Sequence, residues 1–321
     1  MSTTDKNTAV FVIGAGRSGT STITRALMAL GVELGDHFKK ASKKNPKGFF
    51  EDADLLAISK SARRVLGLRA DSVRLLETDA FDDPKLKPLQ DQAIEVIERR
   101  FSQHPIWGFK YGRTLRILPF WDRILEATHT RPAFVVALRH PLSVARSRAK
   151  IDPRRGLQAA SDLEWLVSLV PYLRRVAHHR WVVVDYDDLM DAPTQELSRV
   201  AQELALPEAT ASEAHIEKFV AEFLDPGLRH TRFNDQDLEA SKDINDIVKD
   251  AYRLLKTRTS GITEASDAAF WAKWENIEAR LEALRPILAL IDHRQSEWRR
   301  AIMSPLGPLQ SWALIKPWFK Q

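Results

Sequence analysis

Residues 10–22, VFVIGAGRSGTST, gather three glycines, one arginine and four hydroxyl side chains in one short stretch. The apolar run AVFVI at 9–13 reads as a buried strand. TSTITRALMALG after it has helical spacing, with Ile23, Leu27 and Leu30 recurring and Gly31 as the stop. A strand that turns through glycines into a helix points backbone N–H groups inward, and the positive end of the helix dipole adds to them. Such a turn binds a phosphate or a similar anion. Two patterns fit it. Gly14, Gly16 and Gly19 satisfy G-x-G-x-x-G, the turn of a dinucleotide site; Gly14 to Ser21 also satisfy G-x-x-x-x-G-T-S, a phosphate loop with threonine where lysine is usual.

The surroundings separate the two. A dinucleotide site needs a second strand ending in an acidic residue about 20 residues on. Glu33 and Asp36 stand near that distance, but GVELGDHF offers only Val32 and Leu34 before another glycine. A nucleoside triphosphatase or kinase needs a lysine at position 20 to reach the outer phosphates, followed by a hydroxyl for Mg²⁺. Thr20 carries no charge, and the cation sits inside the loop at Arg17. An arginine there suits transfer of an anionic group without a metal clamp.

Other strand ends carry related chemistry. PAFVVAL at 132–138 is the clearest inner strand; Arg139 follows it, Pro141 opens a helix, and Ser147 lies eight positions after Arg139. A strand-end guanidinium offers a forked grip, and a hydroxyl two turns along the next helix reaches the same anion. IWGFK at 106–110 ends in Lys110, and WVVVDY at 181–186 runs into DDLMDAP. NPKGFFE closes on Glu51, next to Asp52 and downstream of His37, which gives three candidates for a general base. Glu51 equally suits a helix start, where an acid stabilises the dipole.

Taken in order, these segments resemble the P-loop sulfotransferases that use 3′-phosphoadenosine-5′-phosphosulfate (PAPS), in their bacterial and carbohydrate branch. Gly14-Ala15-Gly16-Arg17-Ser18-Gly19-Thr20-Ser21 matches a loop of the type G-x-x-[RK]-S-G-T-[TS]. VVALRHPLSVARS supplies Arg139, Pro141 and Ser147, VVVDYDDLMDAP matches a strand followed by Y-[ED]-D-L and a proline, and NPKGFFE precedes the second helix. The resemblance spans roughly residues 9–235. It implies that Gly14, Gly16, Arg17, Ser18, Gly19, Thr20 and Ser21 cradle the 5′-phosphate of PAPS, with Arg17 toward the sulfonate. It implies a 3′-phosphate site at Arg139 and Ser147, a catalytic carboxylate at Glu51, and Lys110 beside the leaving group. LRHTR at 228–232 implies a lid over the nucleotide, with Arg229 as a donor-site residue beside His230 and Arg232. The cytosolic small-molecule branch carries Lys-x-His after its second strand, whereas this chain has Lys110-Tyr111-Gly112, so no histidine base stands there. The expected activity is sulfonate transfer from PAPS to a hydroxyl on a saccharide, lipid or other small molecule, with no metal. A P-loop kinase or triphosphatase, and a non-catalytic nucleotide-binding protein, are the rivals.

The elements that hold these residues are short apolar strands alternating with helices, the pattern of a parallel sheet covered on both faces: an α/β fold. Helices are expected over about 52–66, 84–103, 114–128 and 157–178, and through a long segment at 264–293. The division expected is a PAPS-binding core at 1–235 and a helical C-terminal extension at 236–321 packed on it. The 48 basic and 43 acidic residues leave a net charge of +5, too mild for nucleic acid and suited to an anionic small ligand. The chain has no cysteine, which excludes disulfides, thiolate metal sites and a cysteine nucleophile. No apolar window reaches membrane-spanning length and the first residues show no secretory signal, so a cytoplasmic enzyme is expected. Lys39, Lys40, Lys43, Lys44 and Lys47 form a charge run, either a solvated loop or an anion collector. The tail PLQSWALIKPWFKQ mixes Trp312, Trp318 and Phe319 with Lys316 and Lys320, fit for docking on the helices or for weak contact with a membrane surface.

Overall fold

Four strands rich in valine, isoleucine and aromatic residues line the interior: β1 (Thr8–Gly14), β2 (Ile106–Lys110), β3 (Arg131–Leu138) and β4 (Arg180–Asp185). They fall on the four segments expected to be strands. The computed structural model describes residues 7–40, 48–207, 213–225, 227, 229, 231–260 and 267–303, and in it the strands form one parallel sheet in the order β2-β1-β3-β4. Phe11 of β1 lies level with Phe109 on one side and Phe134 on the other. GVELGDHF is too short to be a strand of the sheet, yet Glu33 makes a parallel bridge to Trp107 at the edge of β2.

Alternation along β1 divides the interior in two. Ala9, Phe11 and Ile13 face one buried cluster, which the ring of Trp121 enters edge-on to Phe11 at 5.5 Å. Val10 and Val12 face the other. The second face is covered by α1 (Thr20–Ala29), through Ile23 and Leu27. The first is covered by α2 (Ala53–Val65), α3 (Lys87–Arg100), α4 (Leu118–Ala127) and α6 (Gln158–Leu169), which follows α5 (Pro141–Ala149). Beyond β4 come the short α7 (Tyr186–Asp191), then α8 (Pro193–Glu203) and α9 (Glu213–Phe223), which join α1 on the second face. A buried phenylalanine or tryptophan contributes about 1.5–3 kcal/mol by leaving water. Fully buried Trp107, Trp121, Trp165 and Trp274 therefore weld the first face together.

The helical C-terminal region comprises α10 (Asp235–Ala240), α11 (Asp246–Lys256), α12 (Asp267–Ala283) and α13 (Arg285–Met303). Its Val248, Tyr252, Leu255, Trp274 and Leu281 belong to the same buried cluster as the first face of the sheet. Two long helices expected from the sequence are interrupted. The one at 157–178 stops at Leu169, because Pro171 has no N–H to give and its ring clashes with the turn before it. Tyr172 takes a left-handed conformation, and a 3-10 turn covers Leu173–His178. The segment at 264–293 divides at Leu284, because Pro286 is tolerated only in the first turn of a new helix; residues 264–266 lie outside the described residues. No helix among the described residues is long and apolar enough to cross a membrane.

All four strands end at the same edge. Gly14, Lys110, Arg139 and Asp185 therefore emerge side by side, at the point where β1 gives way to β2 on one side and β3 on the other. A crevice outside such a switch of strand order is where open α/β sheets bind ligands.

Candidate active site

The glycine loop is held by its neighbours and left open at its centre. Gly14 has φ +138°, and a Cβ there would sit 2.6 Å from the Ala137 carbonyl oxygen, so only glycine lets β1 and β3 close at this level. Gly19, at φ +82°, is the N-cap of α1, and a Cβ on it would strike the Tyr186 ring at 2.2 Å. Gly16 has nothing within 4 Å of where a Cβ would be. No side chain caps α1, so the N–H groups of its first turn face the loop. The Ser18 hydroxyl is buried without a partner among the described residues. An open cradle, a bare helix start and an unpartnered buried hydroxyl are what an anion such as a phosphate would complete.

Arg17 also adopts a left-handed conformation, φ +80°, which costs a non-glycine residue about 1–2 kcal/mol. Its Nε donates to Ser147 Oγ at 3.0 Å and thereby ties the loop to α5. Arg139 donates to the Arg17 carbonyl at 3.4 Å and stacks its guanidinium 4.4 Å from the centre of the Tyr186 ring. Beneath the loop, fully buried Arg148 donates to the Gly16 carbonyl at 3.2 Å and to the Ser161 carbonyl and hydroxyl. Burial lowers the pKa of Arg17, aided by the nearby cations Arg139 and Arg155; burial also lowers that of Arg139. Three guanidiniums thus converge on one small loop, and among the described residues no carboxylate pairs with Arg17 or Arg139 there.

Across the loop, Lys110 is 3% exposed and donates to Ser21 Oγ at 3.2 Å and to Glu51 Oε1 at 3.1 Å. Lys39 takes the other oxygen, Oε2, at 3.0 Å. Burial pushes the Lys110 ammonium down, and the Glu51 carboxylate partly restores it. The three base candidates separate in space. Asp52 is the cap of α2, accepting from the N–H groups of Asp54 and Leu55, and its other oxygen meets Arg100 at 2.7 Å. His37 is exposed and lies 3.5 Å from Asp54. Glu51 alone of the three faces Lys110. The dipole-stabilising work at the start of α2 belongs to Asp52.

The structure brings Gly14 to Ser21, Arg139 and Ser147 into one constellation and sets Lys110 and Glu51 beside it. Arg229 is paired to Asp187 at 2.9 Å and to Asp191, on the helix that Tyr186 opens. Arg232 holds Asp191 at 2.8 Å, and Thr231 reaches Ser143. His230, like Lys43, Lys44, Lys47 and the tail beyond Met303, lies outside the described residues. Arg148 and the packing role of Tyr186 were not foreseen. Arg148 is one more arginine in a basic helix, and nothing in its spacing says that it turns inward. Tyr186 stood in a recognised segment, but its contact with Gly19 exists only across the fold. Among the described residues no group of three or more His, Asp or Glu side chains is placed to hold a metal ion.

The sulfotransferase family pattern matches residues 9–210. No curated protein sequence matches the chain. Among solved structures, the sulfotransferase STF9 from Mycobacterium avium is similar at 15% identity and a TM-score of 0.42, over 84% of this chain and 76% of that one. The sulfotransferase domain of the Synechococcus PCC 7002 olefin synthase is similar at 18% identity and a TM-score of 0.37, over 86% of this chain and 96% of that one. The family pattern begins in β1, takes in the loop, Glu51, Lys110 and Arg139, and covers more than half of the chain, which therefore belongs to the sulfotransferase family.

Proposed function

We propose that this enzyme moves a sulfonate group from PAPS to an acceptor hydroxyl and releases adenosine 3′,5′-bisphosphate. The observation that carries the proposal is the Arg17–Ser147 hydrogen bond at 3.0 Å, which joins the open cradle around Gly16 to the strand-end pair Arg139 and Ser147. Two anion sites so joined suit a nucleotide with phosphates at both ends of its ribose better than one with a single phosphate chain. When bound, PAPS supplies an activated sulfonate on its 5′-phosphate.

The residues then divide the work. The N–H groups from Gly16 to Ser21 and the Ser18 hydroxyl hold the 5′-phosphate, and Arg139 with Ser147 holds the 3′-phosphate. Arg17 and Lys110 face the oxygen that gains negative charge as the S–O bond to the phosphate breaks, and they stabilise that charge. Glu51 takes the proton of the acceptor hydroxyl as the new S–O bond forms. Its two lysine partners fix the carboxylate in place while leaving lone pairs open for that proton. The Arg229–Asp187–Asp191 cluster borders the nucleotide side as a clasp.

Calorimetric titration tests the assignment. Adenosine 3′,5′-bisphosphate should bind, NAD⁺ and Mg-ATP should not, and Arg139→Ala should weaken the bisphosphate far more than 5′-AMP. Equal losses for the two adenosine ligands would remove the 3′-phosphate site from Arg139. Tight binding of NAD⁺ or Mg-ATP would overturn the donor itself.

A further inference from the structure

Helix α7, which carries Tyr186, is six residues long. A helix that short does not hold itself in water, so its place depends on what grips it from outside. Asp185, the last residue of β4, caps it by accepting from the N–H groups of Asp187 and Asp188 with Oδ1. The grip on Asp185 comes from α11, which lies beyond the residues 9–210 matched by the family pattern. Lys256 donates to Asp185 Oδ2 at 3.2 Å and to Asp188 at 2.7 Å, and the Tyr252 hydroxyl lies 3.5 Å from that same Asp185 oxygen. Tyr252 and Lys256, four residues apart, share one face of α11. The Tyr252 ring also meets that of His140 at 5.4 Å, and His140 follows Arg139 and caps α5. One helix face thus touches the chain where it leaves β3 and where it leaves β4, on either side of Arg139 and Tyr186.

An ion pair that merely docks a helix would be the simpler account. However, α11 is docked already, since Val248, Ala251 and Leu255 are fully buried in the cluster on the first face of the sheet. An exposed pair adds little to such packing. Asp185 is in a different position: it is 1% exposed, and Asp188 shares the same ammonium with it. A buried carboxylate stripped of its cation is strongly disfavoured. A guanidinium is at hand to replace that cation. Leu138 lies level with Asp185 across the β3–β4 ladder, so Arg139 starts one residue beyond the carboxylate. Arg229 holds Asp187, and Arg232 holds Asp191, as Lys256 holds Asp185 and Asp188. With each acid of this segment paired, Arg139 stays stacked 4.4 Å from the centre of the Tyr186 ring and has no carboxylate partner among the described residues.

We propose that Lys256 is a positioning residue of the donor site: it holds Asp185 and Asp188, so that α7 keeps Tyr186 in place and Arg139 remains free for the 3′-phosphate of the donor. The proposal rests on the donor assignment above. It makes α11 part of the donor machinery by way of two carboxylates rather than by contact with the nucleotide. Without the ammonium, Asp185 and Asp188 compete for Arg139, and the grip on the 3′-phosphate weakens while the cradle for the 5′-phosphate remains.

The test is calorimetry of the full chain and its variants with adenosine 3′,5′-bisphosphate and 5′-AMP, together with amide hydrogen exchange of the ligand-free proteins. Lys256→Met should weaken the bisphosphate about tenfold and 5′-AMP much less, and should speed exchange across Tyr186–Asp191. Lys256→Arg should restore both. Adding Asp185→Asn to Lys256→Met removes the buried charge and keeps a capping side chain, so the double variant should recover most of the bisphosphate affinity. It also carries the test if Lys256→Met alone does not fold; a folded double variant that still binds the bisphosphate weakly would overturn the proposal. Lys249→Met, on the same helix and bonded to the Glu239 and Ser241 carbonyls, should change neither reading. Unchanged bisphosphate affinity in Lys256→Met would overturn the proposal. So would equal losses for the two ligands with a lowered urea midpoint, the mark of a purely structural lysine. A parent chain that does not bind the bisphosphate would sink the donor assignment instead. Exchange would then decide alone, and unchanged exchange across α7 in Lys256→Met would overturn the hold of Lys256 on that helix.

Discussion

Gly16 and Gly19 lie three residues apart in one loop, and the structure assigns them opposite sensitivities. A methyl on Gly19 must adopt a left-handed conformation, at about 1–2 kcal/mol, and displace the Tyr186 ring, which it would meet at 2.2 Å. Forcing atoms into a packed site costs about 1–3 kcal/mol more, so Gly19→Ala should lose about 2–5 kcal/mol of stability. A methyl on Gly16 meets nothing within 4 Å, and Gly16 is not at positive φ. Gly16→Ala should leave stability unchanged or raise it by about 0.4–1 kcal/mol, since alanine restricts the unfolded chain. The space the methyl enters is where the cradle would hold the 5′-phosphate. Losing even one hydrogen bond to a charged group costs about 1.5–3 kcal/mol, or roughly tenfold to a hundredfold in affinity. Urea unfolding and calorimetry with adenosine 3′,5′-bisphosphate, on both variants, measure the two effects separately. A Gly16→Ala protein that binds the bisphosphate normally would refute the cradle. One that is as unstable as Gly19→Ala would show that the loop is packed at its centre rather than open.

Two further outcomes follow from the buried charges. Lys110→Met removes the ammonium beside Ser21 and Glu51 while Glu51 keeps Lys39; sulfonate transfer should fall about 10²–10³-fold with bisphosphate binding largely retained, and a loss in binding alone would make Lys110 a purely structural lysine. Asp162 accepts from the Asn245 N–H and the Gln158 amide, and burial raises its pKa from 3.8 to about 6. The folded state therefore holds that proton more tightly than the unfolded chain does, and the stability this gives is complete below about pH 4 and lost as pH rises to about 6. At about 1.4 kcal/mol per pH unit the loss is about 3 kcal/mol. Urea midpoints across this range should drop in the parent by that much more than in Asp162→Asn, and parallel curves would remove Asp162 as the cause.

The sequence by itself determined the strands and the loop, for a local reason. A buried parallel strand must be a continuous apolar run, and a turn into an anion-binding helix must spend glycines at fixed spacing; both constraints act within about ten residues. AVFVI, IWGFK, PAFVVAL and WVVVDY therefore announced the sheet, and GAGRSGTS announced its loop. Helix ends were less legible where a proline cut a periodic pattern, as at Pro171 and Pro286. Asp52 and His37 stood as alternatives to Glu51 in sequence because nothing local says which acid caps a helix and which faces a lysine 59 positions away. Only the parallel packing of β1 and β2 brings Lys110 to Glu51, and only that of β3 and β4 puts Tyr186 against Gly19 and under Arg139. Arg148 turning beneath Gly16 was likewise decided by tertiary structure. Charge and burial at those positions are set by residues far away in the chain, and no spacing rule carries that information.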